Sequence, residues 1–429
     1  MRINTIIEDI GSYQKNLDLS IEPDANPPRL NPNKRLYGRF PRNEGLDLSF
    51  GRRNCKDDGA GEKLESILEF IKYLANKNNI WNLKKLLDSD FVSARGTIRK
   101  IAESAYEEGM REKDDYGFKL IAVQQHGIIF LLRIEKYQSP GLLHLHNGLK
   151  FEQYMTLKDD GEPFDKHEPI SKNTVKRVFR MKIKDVSSSL GLFYAAEIDA
   201  IDENDDSVEL KVLNGGAFTR NWWTQSSLRT FLQTYLAKTN KLVFGKRTNK
   251  FVVSVDVVDR NAILKSSRKS WKMVDCMERL HSLLTDIKER MSDGKAMIVT
   301  CTTNVPQYES CNPDDYNLVP QEFLSLFELE DPEDVEVRVP HNPENEEILD
   351  IEEVVPEGQG ATDGSRVPNC LQDLSNIDAE GVQREITKKA NTDCRSSMRY
   401  HSMTAAFSFK SSAIGFFFNI LIIQATYTQ

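Results

Sequence analysis

Two short acid-bearing runs, separated by a turn, constrain this 429-residue chain more than any other feature. In Ala195-Ala196-Glu197-Ile198-Asp199 the carboxylates stand two residues apart, and in Val208-Glu209-Leu210-Lys211 an acid and a lysine do the same. Side chains two apart on a strand leave the same face. Only the Asp/Asn/Glu-rich stretch at 202–206 lies between the runs, so they can pair as an antiparallel hairpin. Three acids and one lysine then share a surface, while Val208, Leu210 and Val212 alternate to the other side. Carboxylates crowded in this way repel and raise one another's pKa unless a cation joins them. Hard oxygen ligands suit Mg²⁺ or Mn²⁺.

The surrounding pattern mixes helices and strands. Leu64, Ile67, Leu68, Ile71 and Leu74 recur at helical spacing within 62–86, and a second helical stretch follows Arg95. The runs 118–125 and 128–134 read as a hairpin closed at His126-Gly127. Further strands are expected at 175–183, 192–200, 207–213, 241–244, 251–258 and 296–301, with helices at 222–237 and 270–291. The fold class is therefore α/β (α+β), a single domain of mixed, largely antiparallel sheets flanked by helices. Its active site is expected in a cleft above the acid-bearing strands. Within the helix at 222–237, Gln225 precedes Leu228 and Leu232 by three and seven residues, which predicts an inward-facing amide in need of a partner.

An acid pair followed by Glu-x-Lys on the next strand is the pattern of the PD-(D/E)xK nucleases, in which acids hold metal and the lysine steadies nucleophile or developing charge. Glu-x-Lys alone is more often a solvated strand edge; the preceding acids shift the balance toward chemistry. The ordered segments Gly148-Leu149-Lys150-Phe151-Glu152, Glu197-Ile198-Asp199, Glu209-Leu210-Lys211 and Trp222-Trp223-Thr224-Gln225-Ser226 resemble the motifs of the DXO (Dom3Z) decapping exoribonucleases. Phe91 to Gly96, leading to Lys100, and Val243-Phe244-Gly245-Lys246-Arg247 resemble two further motifs of that family, and the likeness spans 34–328. The segment between Lys211 and Trp222 is shorter than the family leads one to expect.

The resemblance implies a metal-dependent RNA 5′-end hydrolase that removes incomplete or non-canonical caps or 5′ pyrophosphate and degrades 5′-monophosphate RNA 5′-to-3′. It implies two divalent ions, Mg²⁺ or Mn²⁺, held by Glu152, Glu197, Asp199, Glu209 and the carbonyl of Leu210. Lys211 and Gln225 would hold water and the scissile phosphate, and Arg95 the phosphates of the 5′ end. The expected partners are RNA 5′ ends, whether capped, triphosphate or monophosphate, and a 5′-3′ exoribonuclease. A monomer in the nucleus or cytoplasm is expected, with no membrane. The rival readings are a non-catalytic RNA-binding scaffold that stabilises such an exoribonuclease, and a DNA nuclease.

Charge is compatible with this. The net −8 is uneven, because residues from 321 onward hold 8 Lys and Arg against 20 Asp and Glu, leaving +4 for the body. Residues 1–33 are expected to form an arm, with 20–42 extended and rich in Pro, Asn and Arg. An acidic, disordered tail is expected over 329–429, ending in an apolar run at 413–425 that is short for a bilayer span. The six cysteines are scattered, as in a reduced intracellular protein, and His144 and His146 are spaced wrongly to share a metal on one helix. Trp222 and Trp223 are expected in the core.

Overall fold

The computed structural model describes residues 3–16, 18–41, 44–51, 62–106, 118–134, 142–170, 174–186, 188–301 and 305–328, all within one compact unit. The expected disordered tail and its apolar end lie outside the described residues. The strands are β1 (Asn4–Lys15), β2 (Ile21–Pro23), β3 (Gly38–Arg39), β4 (Leu46–Asp47), β5 (Phe91–Ala94), β6 (Phe118–Gln125), β7 (Ile128–Ile134), β8 (Thr174–Lys184), β9 (Ser189–Glu197), β10 (Ala200–Ile201), β11 (Ser207–Asn214), β12 (Lys241–Thr248), β13 (Phe251–Asp259), β14 (Ala296–Cys301) and β15 (Gln307–Cys311). The helices are α1 (Glu65–Asn78), α2 (Leu83–Leu87), α3 (Arg95–Glu103), α4 (Leu142–Met155), α5 (Arg220–Gln225), α6 (Ser227–Leu236), α7 (Arg260–Leu264), α8 (Met273–Arg290) and α9 (Gln321–Leu324).

Two sheets result. The larger has nine strands in the order β15-β14-β6-β7-β5-β9-β8-β1-β2, antiparallel except where β5 runs parallel to β7 and β9. Its strands alternate between two cores. Ile129 and Leu131 of β7 and Leu192 and Tyr194 of β9 pack with α3, α6 and α8, whereas Ile128, Phe130 and Phe193 pack with α1, α2 and α9. Helices on both faces therefore bury both sides of the sheet. The smaller sheet has six strands, β10-β11-β12-β13-β3 with β4 also on β13, and its Val208, Leu210 and Val243 enclose a third core with Phe151 and Met155 of α4. The α+β class with mixed, largely antiparallel sheets is the one expected. His126 (φ 50°) and Gly127 (φ 73°) close the β6–β7 hairpin in the left-handed region that a two-residue turn requires.

Three expectations are corrected. The expected arm over 1–33 is instead partly sheet, since β1 pairs along its length with β8 and buries Ile7 and Tyr13, with Ile3 buried just before it. Glu8, Asp9, Ser12 and Gln14 interrupt the apolar pattern, which is why the strand is hard to recognise alone. Glu197 and Asp199 do not share a strand that pairs with β11. Instead β9 ends at Glu197 in the large sheet, and the chain crosses at 198–199 into β10, which makes the short antiparallel pair with β11. Finally, the single helix expected over 222–237 is two, broken at Ser226 (φ −125°, ψ −22°).

β1 is locked from the side by charge. Glu62, just before α1, accepts from Lys15 of β1 at 2.9 Å and from Lys176 of β8 at 2.7 Å. Desolvation raises its pKa, but the Lys176 charge and the hydrogen bonds from Lys176, Ser66 and Lys15 prevail and hold it at about 2. A carboxylate depressed in this way stabilises the fold above its ordinary range, and that contribution is lost as pH falls from about 4.5 toward 2. Glu62→Gln strands two half-buried ammonium groups and is expected to lower stability by about 3 kcal/mol at pH 7. The difference from wild type should vanish in urea titrations near pH 2; a constant difference across that window would remove Glu62 from the account of acid stability.

Candidate active site

The crossing between sheets brings acids from three elements within electrostatic reach of one another. Glu209 and Lys211 lie on the face of β11 opposite Val208 and Leu210, as their spacing requires, and the Glu209 carboxylate is buried. The Lys211 Nζ donates to Glu209 Oε1 at 2.7 Å and to the side-chain carbonyl of Gln233 at 3.0 Å. Gln233 Nε2 in turn donates to the same Glu209 oxygen at 2.6 Å. A closed triangle therefore fixes carboxylate, ammonium and amide in one orientation.

Gln233 was not foreseen. Gln225, the residue expected to turn inward, is exposed at the end of α5. Its spacing to Leu228 and Leu232 points inward only if one helix runs through all three, and the break at Ser226 changes the register. Gln233 belongs to α6, on the helix that does pack on the sheet. No local sequence signal marks Gln233, whose role depends on how α6 packs over β11. Trp222 and Trp223 are buried, as expected, and pack on each other, on Phe218 and, through Trp222, on Phe244 of β12.

Asp199, at the crossing, accepts from the backbone amide of Leu210 at 2.8 Å, which ties the crossing to β11. Burial, and then the negative charges of Glu209, Glu152 and Glu197, push its carboxyl well above the usual carboxylate range. Three of the expected acids thus lie near enough to act on the fourth. Glu152 arrives from α4, whose neighbouring Phe151 lies against Gly245 of β12 so closely that a Cβ there would stand 2.7 Å from the ring. Glycine at 245 is required by this approach. Gly245→Val is expected to displace α4, costing about 1–3 kcal/mol by overpacking and withdrawing Glu152 from the cluster. Thermal melts and turnover should both fall, and full turnover in this variant would show that Glu152 is dispensable.

Arg95, at the start of α3, donates through Nη1 to the carbonyl of Glu197 at 3.2 Å and lies 3.9 Å from Glu209 Oε2. Glu197 itself is exposed at the end of β9. The donor set is all oxygen, and a carboxyl whose pKa is raised by three neighbouring acids marks a place short of positive charge, so these residues fit a hard divalent cation. Among the described residues no three such groups already stand at coordination spacing.

The chain is similar to known proteins along most of its described length. The profile of the family described as RAI1 like PD-(D/E)XK nuclease matches residues 8–324. Decapping nuclease dom-3 of Caenorhabditis elegans is 28% identical over 320 residues, covering 68% of this chain and 79% of its own. The decapping and exoribonuclease protein Rai1 of Drosophila melanogaster is 22% identical over 304 residues, covering 62% and 76%. Among solved structures, Candida albicans Rai1 in complex with pU5-Mn2+ superposes with a TM-score of 0.58 at 15% identity, covering 76% of this chain and 95% of that one. Scheffersomyces stipitis Rai1 in complex with (3′-NADP)+ and calcium ion gives a TM-score of 0.59 at 14% identity, covering 75% and 95%.

Proposed function

Because this chain belongs to the RAI1-like family of PD-(D/E)XK nucleases, we propose that it is a divalent-metal-dependent hydrolase of RNA 5′ ends, removing incomplete or non-canonical caps or pyrophosphate and digesting 5′-monophosphate RNA 5′-to-3′. What supports the reading is a buried Asp199 within the electrostatic reach of Glu209, Glu152 and Glu197, beside a lysine hydrogen-bonded to Glu209. The names of the relatives support RNA decapping as the activity class, and the RNA–Mn²⁺ complex of a protein of the same fold supports both substrate and ion.

Glu152, Glu197, Asp199, Glu209 and the Leu210 carbonyl would hold Mg²⁺ or Mn²⁺, two ions in the fullest form of the reading. When bound, the metal supplies Lewis-acid polarisation of the phosphate and a water of lowered pKa. The chain's own groups do the rest. Lys211, held between Glu209 and Gln233, presents an ammonium to the charge that grows on the scissile phosphate. Gln233 orients that ammonium and takes the positioning role that the sequence had suggested for Gln225. Arg95, tied to the Glu197 carbonyl, offers its guanidinium to the 5′-end phosphate.

The test is product analysis on RNAs of one sequence, labelled at the 3′ end, that differ only at the 5′ terminus. With Mg²⁺ or Mn²⁺, the expected result is release of the cap or pyrophosphate and progressive shortening of the monophosphate RNA, both abolished by chelator. Turnover that survives chelation, or that is confined to DNA, contradicts the reading.

A further inference from the structure

We infer that Arg99 and Arg229, facing each other across the seam between α3 and α6, form a second phosphate-binding station one helical turn out from Glu209. The inference rests on reading the acid cluster as a site for RNA ends, and extends the substrate contact beyond Arg95. On α3, Arg95, Arg99 and Glu103 follow at intervals of four and therefore line one face. On α6, Arg229 and Gln233 do the same, and the two helices pack together. The stripes run in opposite directions. At one end Arg95 and Gln233 both reach Glu209, at 3.9 and 2.6 Å. At the other, Arg99 Nη1 donates to Glu103 Oε1 at 2.5 Å, and Arg229 Nε lies 3.5 Å from the same oxygen. Arg99 and Arg229 are thus each displaced by one turn, roughly 5 Å, from a residue that touches Glu209.

One buried carboxylate steers both guanidinium groups. Glu103 lies 3.5 Å from Arg229 Nε, at the base of a side chain that is 62% exposed and so open to a ligand from solvent. At this end of the seam two arginines, Arg99 and Arg229, share the single carboxylate of Glu103, a surplus that an anion would balance. The pKa of Arg99 is lowered first by burial and, against the pull of Glu103, by the charges of Arg229 and Arg95, so the three cations act on one another. Guanidinium groups pair in a planar fork with phosphoryl oxygens, which carry the negative charge of RNA. The ligand is therefore a phosphate of the substrate, from either of two sources: the chain of phosphates beyond the 5′ nucleotide, or the first internucleotide linkages.

Binding without turnover tests this. Anisotropy is measured in EDTA with 3′-labelled RNAs of one sequence carrying a 5′ hydroxyl, monophosphate or triphosphate, across a salt series, for wild type, Arg99→Gln, Arg229→Gln and Arg229→Lys. Each glutamine variant is expected to weaken binding several-fold and to reduce the salt slope by about 0.7–1, with Arg229→Lys recovering the slope. Loss confined to the triphosphate RNA assigns the station to the 5′ phosphate chain. Equal loss on all three assigns it to internucleotide phosphates. Since Arg229 is exposed, its variant leaves the fold intact even if Arg99→Gln does not. Unchanged affinity and slope for Arg229→Gln on all three RNAs, with Arg99→Gln either the same or changed only in melting temperature, overturn the station and leave Glu103 as a structural tie. Salt-dependent binding that responds to these variants in a protein that cleaves no RNA with Mn²⁺ would instead refute the hydrolase reading and keep the station.

Discussion

Asp199→Asn is expected to abolish turnover, by about a thousandfold or more, while raising the melting temperature of the metal-free protein by a few degrees. The two effects have one cause. The Asp199 carboxyl is crowded by burial and by Glu209, Glu152 and Glu197, which lifts its pKa well above the usual range. An acid whose folded pKa is raised binds a proton in the folded state that the unfolded chain releases, so stability declines as pH climbs from the ordinary carboxylate range through the raised value. Asparagine removes the charge and keeps the acceptor for the Leu210 amide. A divalent ion supplies the missing positive charge instead, so Mn²⁺ should raise the wild-type melting temperature at pH 8, do so less at pH 5 where a proton competes, and do little in Asp199→Asn. Melts with and without Mn²⁺ at both pH values check all of this; a wild-type protein indifferent to Mn²⁺ at pH 8 contradicts it.

Gln233→Leu is expected to reduce turnover by about a hundredfold, the scale for loss of one preorganised polar group, whereas Gln225→Leu should stay within about twofold of wild type. Leucine at 233 removes the donor to Glu209 and the acceptor for Lys211, opening the triangle that aims the ammonium. Gln225 lies on the exposed end of α5. Because Lys211 then keeps only Glu209, the pH–rate profile of Gln233→Leu should change shape as well as height, which a merely structural role would not produce. The reverse ranking of the two variants in steady-state assays would return the positioning role to Gln225 and require a different packing of α5.

What could be read from the sequence divides along physical lines. Local spacing sufficed where one element makes the feature: Glu209 and Lys211 on one face of β11, the His126-Gly127 turn, the helical stripe of α1. It failed where the outcome depends on a neighbour. Nothing local reveals that Glu197 closes a strand of one sheet while Asp199 leads into another, because the crossing is set by which strands find partners. Ser226 breaks a helix whose hydrophobic stripe reads as continuous, and that break leaves Gln225 exposed rather than inward. β1 carries too many polar residues to be recognised alone, yet its pairing with β8 makes it integral. Gly245 is intelligible only once Phe151 is seen against it.

The account depends on cations being drawn into the space that Glu152, Asp199 and Glu209 share. Diffraction from crystals soaked in Mn²⁺ with 5′-monophosphate RNA, recorded near the manganese absorption edge, addresses this directly. The account predicts anomalous peaks among these carboxylates, with a phosphate between them and Arg95. Anomalous density elsewhere on the protein with this space left vacant would contradict it.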